Sequence, residues 1–194
     1  MTPPLLIAIL AAGASRRLGQ PKQLVAIQGT SLLRRQCKVA CDADIGAVTV
    51  ILGCNADSCR AAVVDMPLSI HLNEQWAGGL GTSIACAARA AEDAAMGGLL
   101  ILHMDQFAIS VDDLRSLYKV WDADRLKVVR SRSGSYIGPP VIFPASSFAE
   151  LKQLSGDDGA KSVIVKLGRA SVLEVDIPSA MHDLDTPEQL AKLR

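Results

Sequence analysis

The sequence has no excess of charge of either sign: twenty lysines and arginines balance twenty aspartates and glutamates. No whole-molecule field therefore draws it to nucleic acid or to an anionic membrane, and any anion site has to be local. It also lacks a CxxC pair. Its five cysteines, at 37, 41, 54, 59 and 86, are odd in number. They read as reduced structural thiols, because two thiols sharing a helix face, as 37 and 41 would, make a poor metal site. No basic segment precedes a long apolar stretch near residue 1, and the first apolar run, 5–12, is too short to cross a bilayer. These absences point to a cytoplasmic protein. No internal repeat, low-complexity tract or linker interrupts the chain, so residues 1–194 are expected to form one domain.

What is present is apolar bulk in short runs. Hydrophobic residues make up 49% of the 194 positions, and a domain near this size buries roughly 70% of its unfolded surface. Runs fit for buried strands occur at 5–10, 47–52, 68–72, 99–104, 126–129, 141–143 and 171–177. They lack polar alternation, which predicts a sheet covered on both faces. Leu32, Leu33, Gln36, Val39 and Ala40 recur at helical spacing, as do Leu114, Leu117, Tyr118 and Trp121. Ser110 before Asp113 and Ser147 before Glu150 are candidate capping boxes. Strands alternating with helices imply an α/β architecture with a mainly parallel sheet, in which ligands sit beyond the carboxyl ends of the strands.

One such end carries LAAGASRRLGQPKQL, residues 10–24. Gly13 and Gly19 allow backbone N–H groups close approach to an anion, and Arg16, Arg17 and Lys22 add charge-assisted donors. The segment matches neither GxxxxGK[ST] nor GxGxxG. It reads as a phosphate-binding loop or as a basic surface turn. A second carboxyl end, after the run 99–104, carries Asp105 and Gln106, which suit either a turn or a carboxylate for a triphosphate-bound magnesium ion. HDLDTPEQL, 182–190, has the marks of a helix start at Asp185, Thr186, Pro187 and Glu188. NEQWAGGLGTS, 73–83, is a glycine-rich connection into a helix, either structural or ligand-flanking.

LAAGASRRLGQPKQL closely resembles the LAAGxSxRxGxxK signature of nucleotidyltransferases with a glycosyltransferase-A-like fold. The likeness is greatest to the molybdenum cofactor cytidylyltransferases and the molybdopterin-guanine dinucleotide synthases. The resemblance implies a three-layer Rossmann-like mixed sheet of the nucleotide-diphospho-sugar transferase type. By position it assigns Leu10, Ala11, Ala12 and Gly13 to the base and ribose, and Arg17 and Lys22 to the phosphates. It places Asp105 on the metal, with Asp185 as second ligand and Asp183 in reserve. Asn73, Trp76, Gly79 and Ser83 reproduce NxxWxxGxxxS, a segment that flanks the nucleotide in that family. GPPVIF, 138–143, and GDDGAK, 156–161, resemble GHPVxF and GDxGAR on the acceptor side. Phe107, Pro139 and Lys161 stand where proline, histidine and arginine are usual. The implied reaction is magnesium-dependent transfer of CMP from CTP to a phosphorylated acceptor, with Arg17, Lys22 and Asp105 as catalytic groups and pyrophosphate as product. Ala11-Ala12 favours CTP over GTP. The implied acceptor is molybdenum-molybdopterin, with a molybdoenzyme as a possible partner. Guanylyl transfer, a sugar- or polyol-phosphate acceptor, and a non-catalytic cofactor carrier are the alternatives.

Overall fold

The computed structural model describes residues 4–15, 18–157, 159–184 and 186–191. The chain opens with β1 (Leu5–Ala11), a small hairpin of β2 (Ala26–Ile27) and β3 (Thr30–Ser31), then α1 (Leu32–Ala43) and β4 (Ala47–Leu52). It continues through α2 (Ala56–Ala61), β5 (Ser69–Leu72), α3 (Leu80–Asp93), β6 (Gly98–His103) and α4 (Val111–Ala123). The remainder is β7 (Val128–Ser133), β8 (Tyr136–Pro144), α5 (Phe148–Leu151), α6 (Lys161–Leu167), β9 (Val172–Asp176) and α7 (Pro187–Ala191).

Seven strands form one sheet in the order β5-β4-β1-β6-β8-β7-β9. Strand β8 runs antiparallel to both its neighbours, and all other pairs in this sheet are parallel. The expected mainly parallel mixed sheet is thus observed. All seven residues of β1 are buried, with Leu5, Ile7 and Ile9 in one core and Leu6, Ala8 and Leu10 in the other. Side chains of a strand alternate between faces, so an unbroken apolar run feeds two cores at once. The first core is closed by α1 and α4 through Leu33, Cys37, Leu117 and Trp121. The second is closed by α3 and α5 through Ala87, Ala91, Phe148 and Leu151.

The capping signals resolve unequally. Ser110 accepts from Asp113 N at 3.2 Å and donates its own N–H to Asp113 Oδ2 at 2.9 Å, a complete capping box. Thr186 Oγ1 accepts from Gln189 N at 3.3 Å at the start of α7. Ser147 does not cap: it ends a 3-10 turn, Ala145–Ser147, with φ −89° and ψ −8°. A cap needs extended backbone before the first turn. Here the chain is already helical, and Ser147 Oγ is buried without a hydrogen bond.

All five cysteines are free, with Cys37 and Cys59 fully buried. Burial pushes the Cys37 thiol up to about 12 and the Cys59 thiol up to about 11. The thiolate is the reactive form. Titration of the native protein with an aromatic disulfide reagent at neutral pH therefore leaves these two unlabelled, and denaturant releases both. Fast labelling of either in the native state would contradict the packing. Among the described residues no helix is long and apolar enough to cross a membrane.

Candidate active site

Strands β1, β4, β5 and β6 are mutually parallel, so their carboxyl ends lie at one edge of the sheet, as the position of ligands in open α/β sheets requires. The loop after β1 is held in shape from inside. Gln23, 1% exposed, donates from Nε2 to Ala11 O at 2.9 Å and to Gly13 O at 2.7 Å. Ser15, at φ +52°, donates to Gln23 Oε1 at 3.3 Å and accepts from Lys22 N at 3.0 Å. The loop's far end therefore folds back over its start, and Ala12 O accepts from Cys54 N at 3.0 Å to tie it to β4. Among the described residues no neighbouring atom comes within 4 Å of the Cβ position at Gly13 or Gly19. On that side a ligand could approach both backbones, which a side chain would obstruct. Gln23 carries no motif signal, and sequence reasoning missed it.

This fold-back aims Lys22 across the sheet. Its Nζ lies 3.0 Å from Asp105 Oδ2, with side chains 9% and 27% exposed. A cation from the first loop and a carboxylate from the end of β6, 83 residues apart, meet at one point. Arg16, Arg17 and Asp185 lie outside the described residues. The segment before Asp185 is pinned to Asp105, because Leu184 N donates to Asp105 O at 3.0 Å. This also brings Asp183 to the same end of β6.

Gln106 organises what surrounds Asp105. It is 1% exposed, and its Nε2, with two hydrogens to donate, lies within hydrogen-bond distance of Pro139 O at 2.8 Å, Ala180 O at 3.0 Å and Tyr136 Oη at 3.2 Å. Its own carbonyl accepts from Gln36 Nε2 at 2.8 Å. One side chain thus joins β8, the 3-10 turn Pro178–Met181 and, through the backbone, α1. Tyr136 donates to Pro139 O at 2.7 Å. Burial raises the Tyr136 phenol to about 12, with the Asp183 and Asp105 charges adding to it and the Gln106 hydrogen bond opposing. Phe107 packs against the first core with its ring 6.5 Å from His182, and its N–H donates to Asp105 O at 2.8 Å.

The segment 73–83 folds on itself. Asn73 Nδ2 donates to Thr82 Oγ1 at 2.9 Å and Ser83 Oγ at 3.1 Å, while its Oδ1 accepts from Gln75 N at 3.0 Å. Asn73 and Ser83 are 3% and 5% exposed. These polar atoms are occupied in shaping the loop. Gly79, at φ +97°, has Gly156 O against the position a Cβ would take. Gly81 has Ser155 N 2.7 Å from its own Cβ position and donates to Gly156 O at 2.9 Å. The glycines here admit the 155–157 loop to the start of α3. Trp76 lies over Gly53, whose Cβ position is 2.5 Å from Trp76 Cβ and 2.9 Å from Ala12 Cβ. It walls a hollow of about 490 Å³ at the ends of β4 and β5, next to the first loop.

On the other side of Asp105 lies a cavity of about 590 Å³. Leu80, Ile84, Ile101, Val141 and Ile164 give it apolar walls, and His103, Arg130 and Lys161 supply polar ones. Both second-half motifs reach it, through Gly138 and Pro139 and through Gly159 to Lys161. Residues Pro139 and Pro140 are joined by a cis peptide bond. His103 was not singled out by any motif; alternation along β6 turns it into this cavity. Burial lowers its pKa and Lys22 adds to that, while Asp105 opposes. Among the described residues no cluster of three or more His, Cys, Asp or Glu side chains is arranged to hold a metal.

The profile of the MobA-like NTP transferase domain family matches residues 7–171. Among curated proteins, the purine catabolism protein PucB of Bacillus subtilis is 31% identical over 204 residues, covering 100% of this chain and 98% of that protein. The nicotine blue oxidoreductase of Paenarthrobacter nicotinovorans is 28% identical, covering 95% and 94%. A probable molybdenum cofactor guanylyltransferase of Rhodopirellula baltica is 28% identical, covering 97% and 90%. The crystal structure of Rv0371c from Mycobacterium tuberculosis aligns with a TM-score of 0.81 at 27% identity, over 100% and 98% of the two chains. A manganese complex of Rv0371c aligns at 0.77.

Proposed function

The chain belongs to the MobA-like NTP transferase family and is a nucleotidyltransferase, and we propose that it transfers CMP from CTP to the terminal phosphate of molybdenum-molybdopterin. The observation that carries this reading is the Lys22–Asp105 pair at 3.0 Å. It stands between the open first loop, with its neighbouring hollow, and the cavity beside His103. A phosphate bridged from one side to the other would pass over that pair. Lys22 and Arg17 bind the triphosphate. Ala11 and Ala12 meet the base through the backbone; this doublet supports CTP. The similarity to a probable molybdenum cofactor guanylyltransferase supports the acceptor.

A divalent cation fits the residues present. Asp105 is partly exposed, and the backbone bond from Leu184 to Asp105 draws Asp183 and Leu184 beside it. Asp105 with Asp185, or Asp183, then offers the one or two carboxylates that magnesium takes together with phosphate oxygens and water. When bound, magnesium supplies charge neutralisation for the triphosphate and the departing pyrophosphate. The acceptor phosphate oxygen forms a bond to the α-phosphorus in line as the bond from that phosphorus to the β-bridging oxygen breaks. The chain contributes alignment and fixed positive charge and needs no covalent nucleophile.

The test is pyrophosphate release from each of CTP, GTP, UTP and ATP with magnesium, with and without molybdenum-molybdopterin. Release with CTP and acceptor together is the expected result. Release with GTP instead moves the donor assignment, and folded protein silent in every combination overturns the proposed reaction.

A further inference from the structure

A further cavity, of about 700 Å³, opens along the β7–β9 edge of the sheet and adjoins the one beside His103: Arg130, Ser135, Ile137 and Ile164 line both. Among the described residues its lining carries three arginines, Arg130, Arg132 and Arg169, against one carboxylate, Glu174. Arg130 sits at the junction. Its guanidinium is held by Glu174, with Nε at 3.2 Å and Nη2 at 2.6 Å from Oε1, across the parallel pairing of β7 and β9. Arg132 reaches the other oxygen of Glu174 only at 3.7 Å, with 57% of its side chain exposed. Arg169 is exposed on a turn, Arg169–Ser171, that Lys127 anchors by donating to Ala170 O at 2.7 Å. Asp176 pairs with Arg132 in register but is not part of the lining. One carboxylate cannot satisfy three guanidinium groups, so this end of the groove keeps a surplus of planar, bidentate anion donors.

We propose that the acceptor site continues past the cavity beside His103 into this groove, where Arg132 and Arg169 take a second anionic group of the acceptor, set apart from its reacting phosphate. The inference rests on the reading of the chain as a transferase to a phosphorylated acceptor, and it specifies that acceptor further: a reacting phosphate, a ring-bearing middle, and a second anion beyond it, the part that the oxomolybdenum dithiolate would play in molybdenum-molybdopterin. The apolar walls suit the middle, and Lys161 and Arg130 flank its path. A short acceptor with no distal anion would leave the arginines unused.

The test compares the full-length wild type with the Arg132→Ala, Arg169→Ala double variant. Both side chains are exposed, and Arg130 keeps its ion pair, so the fold is retained. The probe is anilinonaphthalene sulfonate, an apolar ring system carrying one anion, followed by fluorescence. The wild type is expected to bind it saturably, with displacement by molybdopterin but not by CTP, and the double variant about tenfold more weakly, roughly the loss of one charge-assisted hydrogen bond. In turnover, the double variant raises the acceptor KM by a similar factor and leaves the KM for nucleotide in place, and Arg→Lys at both positions restores part of the loss. No saturable dye binding by the wild type, equal binding by the variant, or an unchanged acceptor KM would overturn the inference. If the wild type releases no pyrophosphate with any acceptor, the reaction assignment fails, while the dye titration still decides the groove.

Discussion

Asp105→Asn is expected to lower kcat for pyrophosphate release by about a thousandfold, a loss typical of removing one fixed electrostatic contact from a charge-developing transition state. The substitution keeps the shape of the side chain and removes its charge, so it separates chemistry from packing. Two effects combine. The carboxylate that fits a divalent cation becomes a poor ligand, and the partner that holds Lys22 Nζ at 3.0 Å is neutralised. Lys22→Met should fall by about a hundredfold or more for the related reason that a fixed cation over the phosphates is lost. On the proposal that the two side chains act on the same phosphates, the double variant should be only slightly worse than Asp105→Asn alone. Turnover of Asp105→Asn within a few-fold of wild type would remove Asp105 from the reaction. Fully additive losses would mean that Lys22 and Asp105 work independently.

Gln106→Leu has the largest expected cost to the fold around the site. The amide's Nε2 lies within hydrogen-bond distance of Pro139 O, Ala180 O and Tyr136 Oη, in a place 1% exposed. Leucine is of similar volume but donates nothing, so the carbonyl of Ala180 loses its donor in a region closed to water. A buried group left in that state costs about 1–3 kcal/mol, while Pro139 O keeps its bond from Tyr136. About 2 kcal/mol is expected, or a fall in Tm of about 4–8 °C for a chain of this length. Activity should fall further than stability accounts for, because the same amide joins β8, which borders the cavity beside His103, to the turn preceding Asp183 and Leu184. Thermal denaturation followed by circular dichroism checks the first effect. The KM for acceptor, measured well below the variant's Tm, checks the second. An unchanged Tm would show that water replaces the amide.

The first half of the sheet is legible in the sequence because its strands are buried on both faces. The expected runs 5–10 and 99–104 lie within a residue of β1 and β6, and 47–52 coincides with β4. The second half is less so. β7 extends to Ser133 through Arg130 and Arg132, and β8 begins at Tyr136 and passes through Pro139 and Pro140, where only 126–129 and 141–143 read as strand. Toward the sheet's edge one face meets solvent and a groove, so charge and proline replace the apolar run. The hairpin joining these strands is recognised only through pairing, Ser133 with Tyr136 and Arg132 with Ile137.

By itself the sequence determined the α/β class, the mainly parallel order and the chemical character of the first loop, since these follow from local periodicity and from residue types confined to a few positions. It also singled out Lys22 and Asp105, each separately. That they meet at 3.0 Å was decided by the parallel pairing of β1 with β6 and by Gln23 folding the loop back. The tertiary structure likewise occupied Asn73 and Ser83 within their own loop, and turned Gly79 and Gly81 toward residues 155–157. It also made Gln106 a junction of three segments and gathered Arg130, Arg132 and Arg169 from two separate stretches into one groove. Apart from the bonds of Asn73, each of these depends on contacts between residues far apart in the chain, and local spacing carries no record of which distant segment a side chain will face.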